Sequence, residues 1–132
     1  MIRILLCCGG GFSSSYVASR IKKEIVYNHM ENEVFIEFSP FSLVLEKYEQ
    51  FDIIVCCPHL NIYVKQLLAK QKIDTPIYVL PPRMYGHMKL EEIYQDAKDL
   101  LDVYAQTNMN PVHFPGEDNV LRITRDKAYS HI

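Results

Sequence analysis

Apolar positions along this chain fall into two alternating rhythms. Short apolar, β-rich runs at Ile2–Cys7, Val34–Phe38, Asp52–Cys57 and Pro76–Leu80 have the length of strands. The first and third lack a polar face, which suits strands buried on both sides of a parallel sheet. Gly9-Gly10-Gly11, Pro40, Pro58 and Pro81-Pro82 end the four runs in turn. Between them the apolar residues recur at helical spacing. Tyr16, Val17, Ile21, Ile25 and Val26 define one helix, with Ser13 as its predicted N-cap and Asn28 near its end. A short helix within Phe41–Gln50 should pack through Leu43, Val44 and Tyr48. Leu60–Lys72 reads as an amphipathic helix that buries Tyr63, Val64, Leu67 and Leu68 and exposes Lys65, Lys70 and Lys72. Lys89–Tyr104 carries Ile93, Ala97, Leu100, Leu101 and Tyr104 on one side.

Strand and helix thus alternate four times, which predicts an α/β three-layer sandwich: a four-stranded parallel sheet with helices on both faces, joined by right-handed crossovers. Ligands in such sheets bind beyond the carboxyl ends of the strands, at the switch point of the topology. That places candidate chemistry at Cys8–Ser15, Cys57–His59 and Pro81–His87. From Gln106 the pattern changes, with Pro111, Pro115-Gly116 and a mixed stretch Val120–Thr124. We read residues 1–104 as the domain and 105–132 as a C-terminal extension with one short strand. It packs either on the body or on a neighbouring subunit.

At 132 residues, 48% hydrophobic and 23% charged, the composition suits one folded domain and excludes wholesale disorder. A net charge of −2 argues against a general nucleic-acid binder. No apolar run reaches the roughly 20 residues that cross a bilayer, and Met1–Leu6 is too short for a signal peptide. A cytosolic protein is the expectation. The four cysteines form two adjacent pairs, Cys7-Cys8 and Cys56-Cys57, unlike the dispersed pattern of a disulfide framework.

The most informative stretch is Cys8-Gly9-Gly10-Gly11-Phe12-Ser13-Ser14-Ser15, between a strand and a helix. Glycines let successive backbone N–H groups converge, and the following helix start adds its own free donors. Three hydroxyls add more, so the loop suits a tetrahedral oxyanion such as phosphate. A helix start also favours thiolate over thiol at Cys8. No Asp or Glu precedes Glu24, whereas Arg3, Arg20, Lys22 and Lys23 lie nearby in sequence. Cys8 is therefore a candidate nucleophile toward phosphorus, with Gly9, Gly10, Gly11, Phe12, Ser13, Ser14 and Ser15 as the phosphate-binding loop. The competing reading is a plain tight connection beside a buried cysteine.

Related phosphate sites differ at particular residues. A nucleotide P-loop requires Lys and then Ser or Thr after its last glycine, where this chain has Phe12 and Ser13. A dinucleotide loop would have Ser14 in place of its last glycine, and Glu37 as its ribose acid keeps that weaker reading open. A cysteine phosphatase needs an arginine six positions after the cysteine, where Ser14 stands. Hydrolysis is thereby disfavoured, but carriage of a phosphoryl group is not.

Residues 4 to 15, Ile-Leu-Leu-Cys-Cys-Gly-Gly-Gly-Phe-Ser-Ser-Ser, resemble the phosphorylation loop of the phosphotransferase-system (PTS) IIB components of the lactose/cellobiose (diacetylchitobiose) family. Cys8 matches the phosphocysteine, Gly11 the family glycine, and Ser13, Ser14 and Ser15 the hydroxyl run. Phe12 stands where Met is frequent and Ser14 where Thr is. The likeness covers about residues 1–104 and includes the Asp-led strand ending at Pro58 and Tyr85-Gly86 after the fourth strand. It implies a phosphorelay in which a IIA component donates from phosphohistidine to Cys8, and Cys8 passes the group to a sugar held by the IIC membrane permease. That is a transferase role in the cytoplasm, at the inner face of the membrane through IIC, with neither cofactor nor metal.

His59, Arg83 and Tyr85 are rim candidates at the same end of the predicted sheet, with His87 in the same loop. Solvated loop positions are the simpler reading of each. Cys7 is expected to pack, and adjacent strand cysteines should face opposite ways, which weighs against a zinc or disulfide site. A second function, from another class, is a regulatory module that senses phosphorylation state or an oxyanion and uses its tail to hold a partner. Truncation after residue 106 separates the two: a pure carrier should keep relay activity, while a partner-binding module should lose its complex.

Overall fold

The computed structural model describes the backbone of residues 1–8 and 12–132, and the side chains of residues 1–7 and 16–132. Strand β1 (Ile2–Cys8) leads to helix α1 (Phe12–Tyr27) and strand β2 (Val34–Pro40). Helix α2 (Val44–Lys47) sits between 3-10 turns at Phe41–Leu43 and Tyr48–Gln50, which fills the short helical segment expected there. Strand β3 (Ile53–Cys56), a 3-10 turn at Pro58–Leu60, helix α3 (Asn61–Lys70) and strand β4 (Ile77–Val79) follow. Helices α4 (Pro82–His87) and α5 (Leu90–Thr107) complete the body.

The strands form one parallel sheet in the order β2-β1-β3-β4, with Leu6 opposite both Phe38 and Val55. Side-chain alternation divides the core in two. Ile4, Leu6, Val55 and Tyr78 meet Ile21 and Ile25 of α1 and Ile93, Ala97 and Leu100 of α5. On the other face Leu5, Cys7, Ile54 and Ile77 meet Val44 of α2 and Val64 of α3. The predicted three layers are present.

Helix α1 ends where the sequence places its end. Met30 N–H bonds the Ile25 carbonyl at 2.9 Å, and His29 N–H bonds that of Val26 at 3.1 Å. His29 takes the left-handed conformation at φ 56, giving a Schellman cap with an imidazole-bearing residue in the position glycine usually fills. The start differs from expectation. The helix begins at Phe12, so Ser13 lies in its first turn rather than at its cap.

Three further expectations are corrected. Tyr63 of α3 is 57% exposed, because the packed stripe of Leu60, Val64, Leu67 and Leu68 is narrow and Tyr63 falls at its edge. The segment after β4 is a helix, since the proline at the start of α4 supplies the φ of a first helical turn. Residues 120–124 hold a 3-10 turn at Val120–Arg122 instead of a strand.

α5 runs through Thr107, across the expected boundary at 104, and the tail beyond it packs on the body. Asn110 Oδ1 accepts from Ile77 N–H at 2.8 Å, and its Nδ2 donates to the carbonyls of Ile73 and Thr75. Val112 N–H then bonds the Ile77 carbonyl at 2.9 Å, so the tail covers the outer edge of β4 there. Val112 and Phe114 enter one core and Val120 the other.

A polar cluster fastens the last part of the tail. Arg125 pairs with Glu117 through two bonds of 2.7 Å and with Asp96 of α5 at 2.8 Å, and donates to the Lys127 carbonyl. Its guanidinium lies near the stacked rings of Phe114 and Tyr129, whose centroids are 4.4 Å apart. Asp96 is fully buried and also accepts from Tyr78 hydroxyl at 2.6 Å and Tyr129 N–H at 2.8 Å. Burial lifts the Asp96 carboxyl above the ordinary carboxylate range against the pull of these donors. Burial likewise pushes the Tyr78 hydroxyl up, with Asp96 adding to it, so Tyr78 stays a donor. Burial opposes the Arg125 charge, but its bonds to Glu117 and Asp96 outweigh that and raise its pKa.

Candidate functional site

The strand order makes β1 the centre of the topology. The chain leaves β1 for β2 on one side, then crosses over to β3 on the other, which puts the switch point between the carboxyl ends of β1 and β3. Cys8 is the last residue of β1, opposite Pro40, and α1 starts at Phe12. Gly9, Gly10 and Gly11, and the side chains of Cys8, Phe12, Ser13, Ser14 and Ser15, lie outside the described residues. The end of β1 and the start of α1 bracket the loop.

The rim candidates come from the two neighbouring strand ends. β3 stops at Cys56, and Pro58 begins a 3-10 turn that carries His59 outward into solvent. α4, starting beyond Pro81 at the end of β4, carries Arg83 and Tyr85. The His59 and Tyr85 rings meet edge to face, with centroids 5.5 Å apart and planes at 77°. Two residues 26 apart in sequence are thus joined at one end of the sheet. Arg83 is exposed, with no ion pair among the described residues, and is free to meet an anion.

Cys7, Cys56 and Cys57 lie buried in the apolar core. Cys7 packs as expected. Cys56 and Cys57 join the same cluster rather than facing opposite ways, because β3 ends at Cys56 and strand alternation no longer governs Cys57. Among the described residues no group of His, Cys, Asp and Glu is arranged to hold a metal ion. Glu37, the acid a dinucleotide site would use, is paired with Lys47 at 2.7 Å. An open groove of about 830 Å³ runs along the later turns of α1, lined by residues including Lys22, Lys23, Val26 and Tyr27. It lies toward the opposite end of the sheet from the strand ends that hold Cys8 and His59.

Sequence reasoning missed the Arg125–Asp96 cluster and the role of Arg20. The Arg20 guanidinium, read as a local positive charge, donates to the carbonyls of His87 and Met88 at the end of α4. A signal was available for Asp96: an acid three residues after Ile93 and four before Leu100 sits beside the buried stripe of its helix.

Among the described residues, no helix is long and apolar enough to cross a membrane. No curated protein matches the chain. One solved structure with a similar fold is described as the lactose-specific IIB component domain of the phosphoenolpyruvate:carbohydrate phosphotransferase system from Streptococcus pneumoniae. It is 13% identical, with a TM-score of 0.49, and the alignment covers 82% of this chain and 98% of that one. The sequence profile of the family described as "PTS system, Lactose/Cellobiose specific IIB subunit" matches residues 3–96, which hold Cys8, the loop after it, β2, β3, β4, α4 and all of β1 but Ile2. Spanning well over half of the chain, that match makes it a member of the lactose/cellobiose-specific IIB family of the sugar phosphotransferase system.

Proposed function

We propose that the protein is a phosphoryl carrier phosphorylated on Cys8, taking the group from phosphohistidine of a IIA component and passing it to a sugar of the lactose, cellobiose or chitobiose type held by a IIC permease. The observation that carries this reading is the position of Cys8. It ends the central strand at the switch point of the sheet, immediately before a loop and a helix start, within the residues matched to the family.

In the first step the Cys8 thiolate attacks phosphorus in line. An S–P bond forms as the P–N bond to the donor imidazole breaks, and the imidazole nitrogen keeps the electron pair and takes a proton from solvent. Backbone N–H groups of Gly9–Ser15, with the hydroxyls of Ser13, Ser14 and Ser15, hold the equatorial oxygens. In the second step a sugar hydroxyl attacks, an O–P bond forms, the S–P bond breaks and the thiolate returns, while the hydroxyl proton leaves to a base on the acceptor side. His59, Arg83 and Tyr85 form the rim across which the group passes. The loop must grip the transition state more strongly than the resting phosphocysteine, or the cargo would not leave. The work is done in the cytoplasm, at the inner face of the membrane when IIC is engaged.

Incubation with phosphorylated IIA, followed by mass spectrometry of the peptides, tests the reading. Label on Cys8 in the wild-type chain and none in Cys8→Ser is expected. Undiminished label in Cys8→Ser overturns it. The alternative, a regulatory module that grasps a partner with its tail, requires a tail free to reach out. Burial of Val112, Phe114 and Val120 in the body weighs against that role.

A further inference from the structure

α4 spans only Pro82–His87, too short to hold its own geometry in water. Its place is set by what grips it, and two segments distant in sequence grip its last turn. From α1, Arg20 Nη2 donates to the His87 carbonyl at 3.3 Å and to the Met88 carbonyl. From the tail, Asp126 Oδ2 lies 3.7 Å from His87 Nε2, and the adjacent Arg125 reaches Met84 Sδ at 3.1 Å. Met88 caps α4 in the left-handed conformation at φ 47, so the two carbonyls that Arg20 holds are those at which the helix stops. Arg20 is kept there against a penalty: its Nε is buried without a hydrogen-bond partner among the described residues. α1 is also the helix that starts directly after the candidate loop, and α4 carries two of the rim residues.

We propose that Arg20 and Asp126 are positioning residues for phosphoryl transfer: by gripping His87 from α1 and from the tail, they fix α4, and with it Arg83 and Tyr85, relative to the helix that follows the phosphorylation loop. The proposal rests on the carrier reading above. Asp126 lies beyond the residues matched to the family, so half of this brace belongs to the extension.

The test is single-turnover transfer from phosphorylated IIA to the full-length chain, reading the rate of the bound step separately from the IIA concentration at half-saturation. A displacement near 1 Å at a reacting site costs up to about a hundredfold in rate. Arg20→Gln is expected to slow the bound step about tenfold with half-saturation unchanged. Arg20→Lys keeps a cation able to donate to carbonyls and should recover most of that loss. Asp126→Ala should slow the step by roughly threefold without lowering the melting temperature, since an exposed pair contributes little to stability.

An unchanged bound step in folded Arg20→Gln overturns the proposal. So does a loss in Arg20→Gln that merely follows its folded fraction. Should Arg20→Gln fail to fold, Asp126→Ala decides, and a wild-type rate in that variant is fatal. A wild-type chain that takes no phosphoryl group on Cys8 overturns the carrier reading and this proposal together. A labelled wild type whose variants keep pace with it overturns this proposal alone.

Discussion

Replacing Arg125 by methionine tests how the tail is fastened. The substitution removes the guanidinium from a cluster in which Arg125 is 7% exposed, Asp96 fully buried and Glu117 12% exposed. A buried pair is often no better than an apolar isostere when both partners are exchanged, but removing one partner strands the other charge at a cost of about 3–5 kcal/mol. Here two carboxylates lose their counter-charge, so the upper half of that range applies. Against a total stability of about 5–15 kcal/mol for a domain, the loss is about a quarter or more. For a chain of this size it lowers the melting temperature by roughly 10–20 °C.

Urea titration and thermal melts of Arg125→Met and the wild type measure this directly. The pH dependence adds a signed check. The Asp96 carboxyl is already raised by burial, and without Arg125 it rises further. A group whose folded pKa is raised contributes stability that is complete below its unfolded value and is lost as pH climbs through the folded one. The deficit of the variant should therefore shrink toward acid and widen toward neutrality. A loss under about 1 kcal/mol at neutral pH, or a deficit that grows toward acid, would show that the cluster does not hold the tail as described.

Three other outcomes are expected. Asn110→Ala removes three bonds at the edge of β4 and should cost about 2–3 kcal/mol, with faster hydrogen exchange at the Ile77 amide as the local sign. Truncation after residue 106 uncovers both cores by removing Val112, Phe114 and Val120, each worth about 1.5–3 kcal/mol, and should leave a chain without a cooperative melt. Burial pushes Glu92 up, but the His131 ring and Ala128 N–H more than compensate and hold it below the usual 4.5. Its stabilisation is present above that value and fades as pH falls through the lowered pKa, so Glu92→Gln should flatten the acid limb of a stability–pH curve.

The strands were legible because parallel strands buried on both faces leave unbroken apolar runs, as Ile53–Cys56 does. Helix ends were less so. Pro81-Pro82 reads as a stop, yet the same fixed φ opens α4, and only packing of Met84 beneath decides between the two. The amphipathic pattern of Leu60–Lys72 counts Tyr63 on the buried face, but the packed stripe is narrower than that pattern and Tyr63 stands at its margin. The candidate loop could be read because its chemistry is contiguous, eight residues in a row from Cys8 to Ser15. Arg125 and Asp96 are 29 residues apart, in a segment without periodicity and on a helix with one, so no local pattern joins them. The grip of Arg20 on His87 and Met88 spans more than 60 positions and ends on backbone carbonyls, which any residue offers.

The hold of Asn110 and Val112 on Ile77 also bears on how copies of the protein behave at high concentration. A bare outer strand is a template on which another chain can add itself, and here the chain's own tail occupies that template at Ile77. Growth by strand addition is left to the opposite border, where β2 closes with Pro40, a residue that offers no amide to a newcomer. Loosening of the tail would do more than destabilise the fold, because it would open a second border on which the sheet of another copy can add itself.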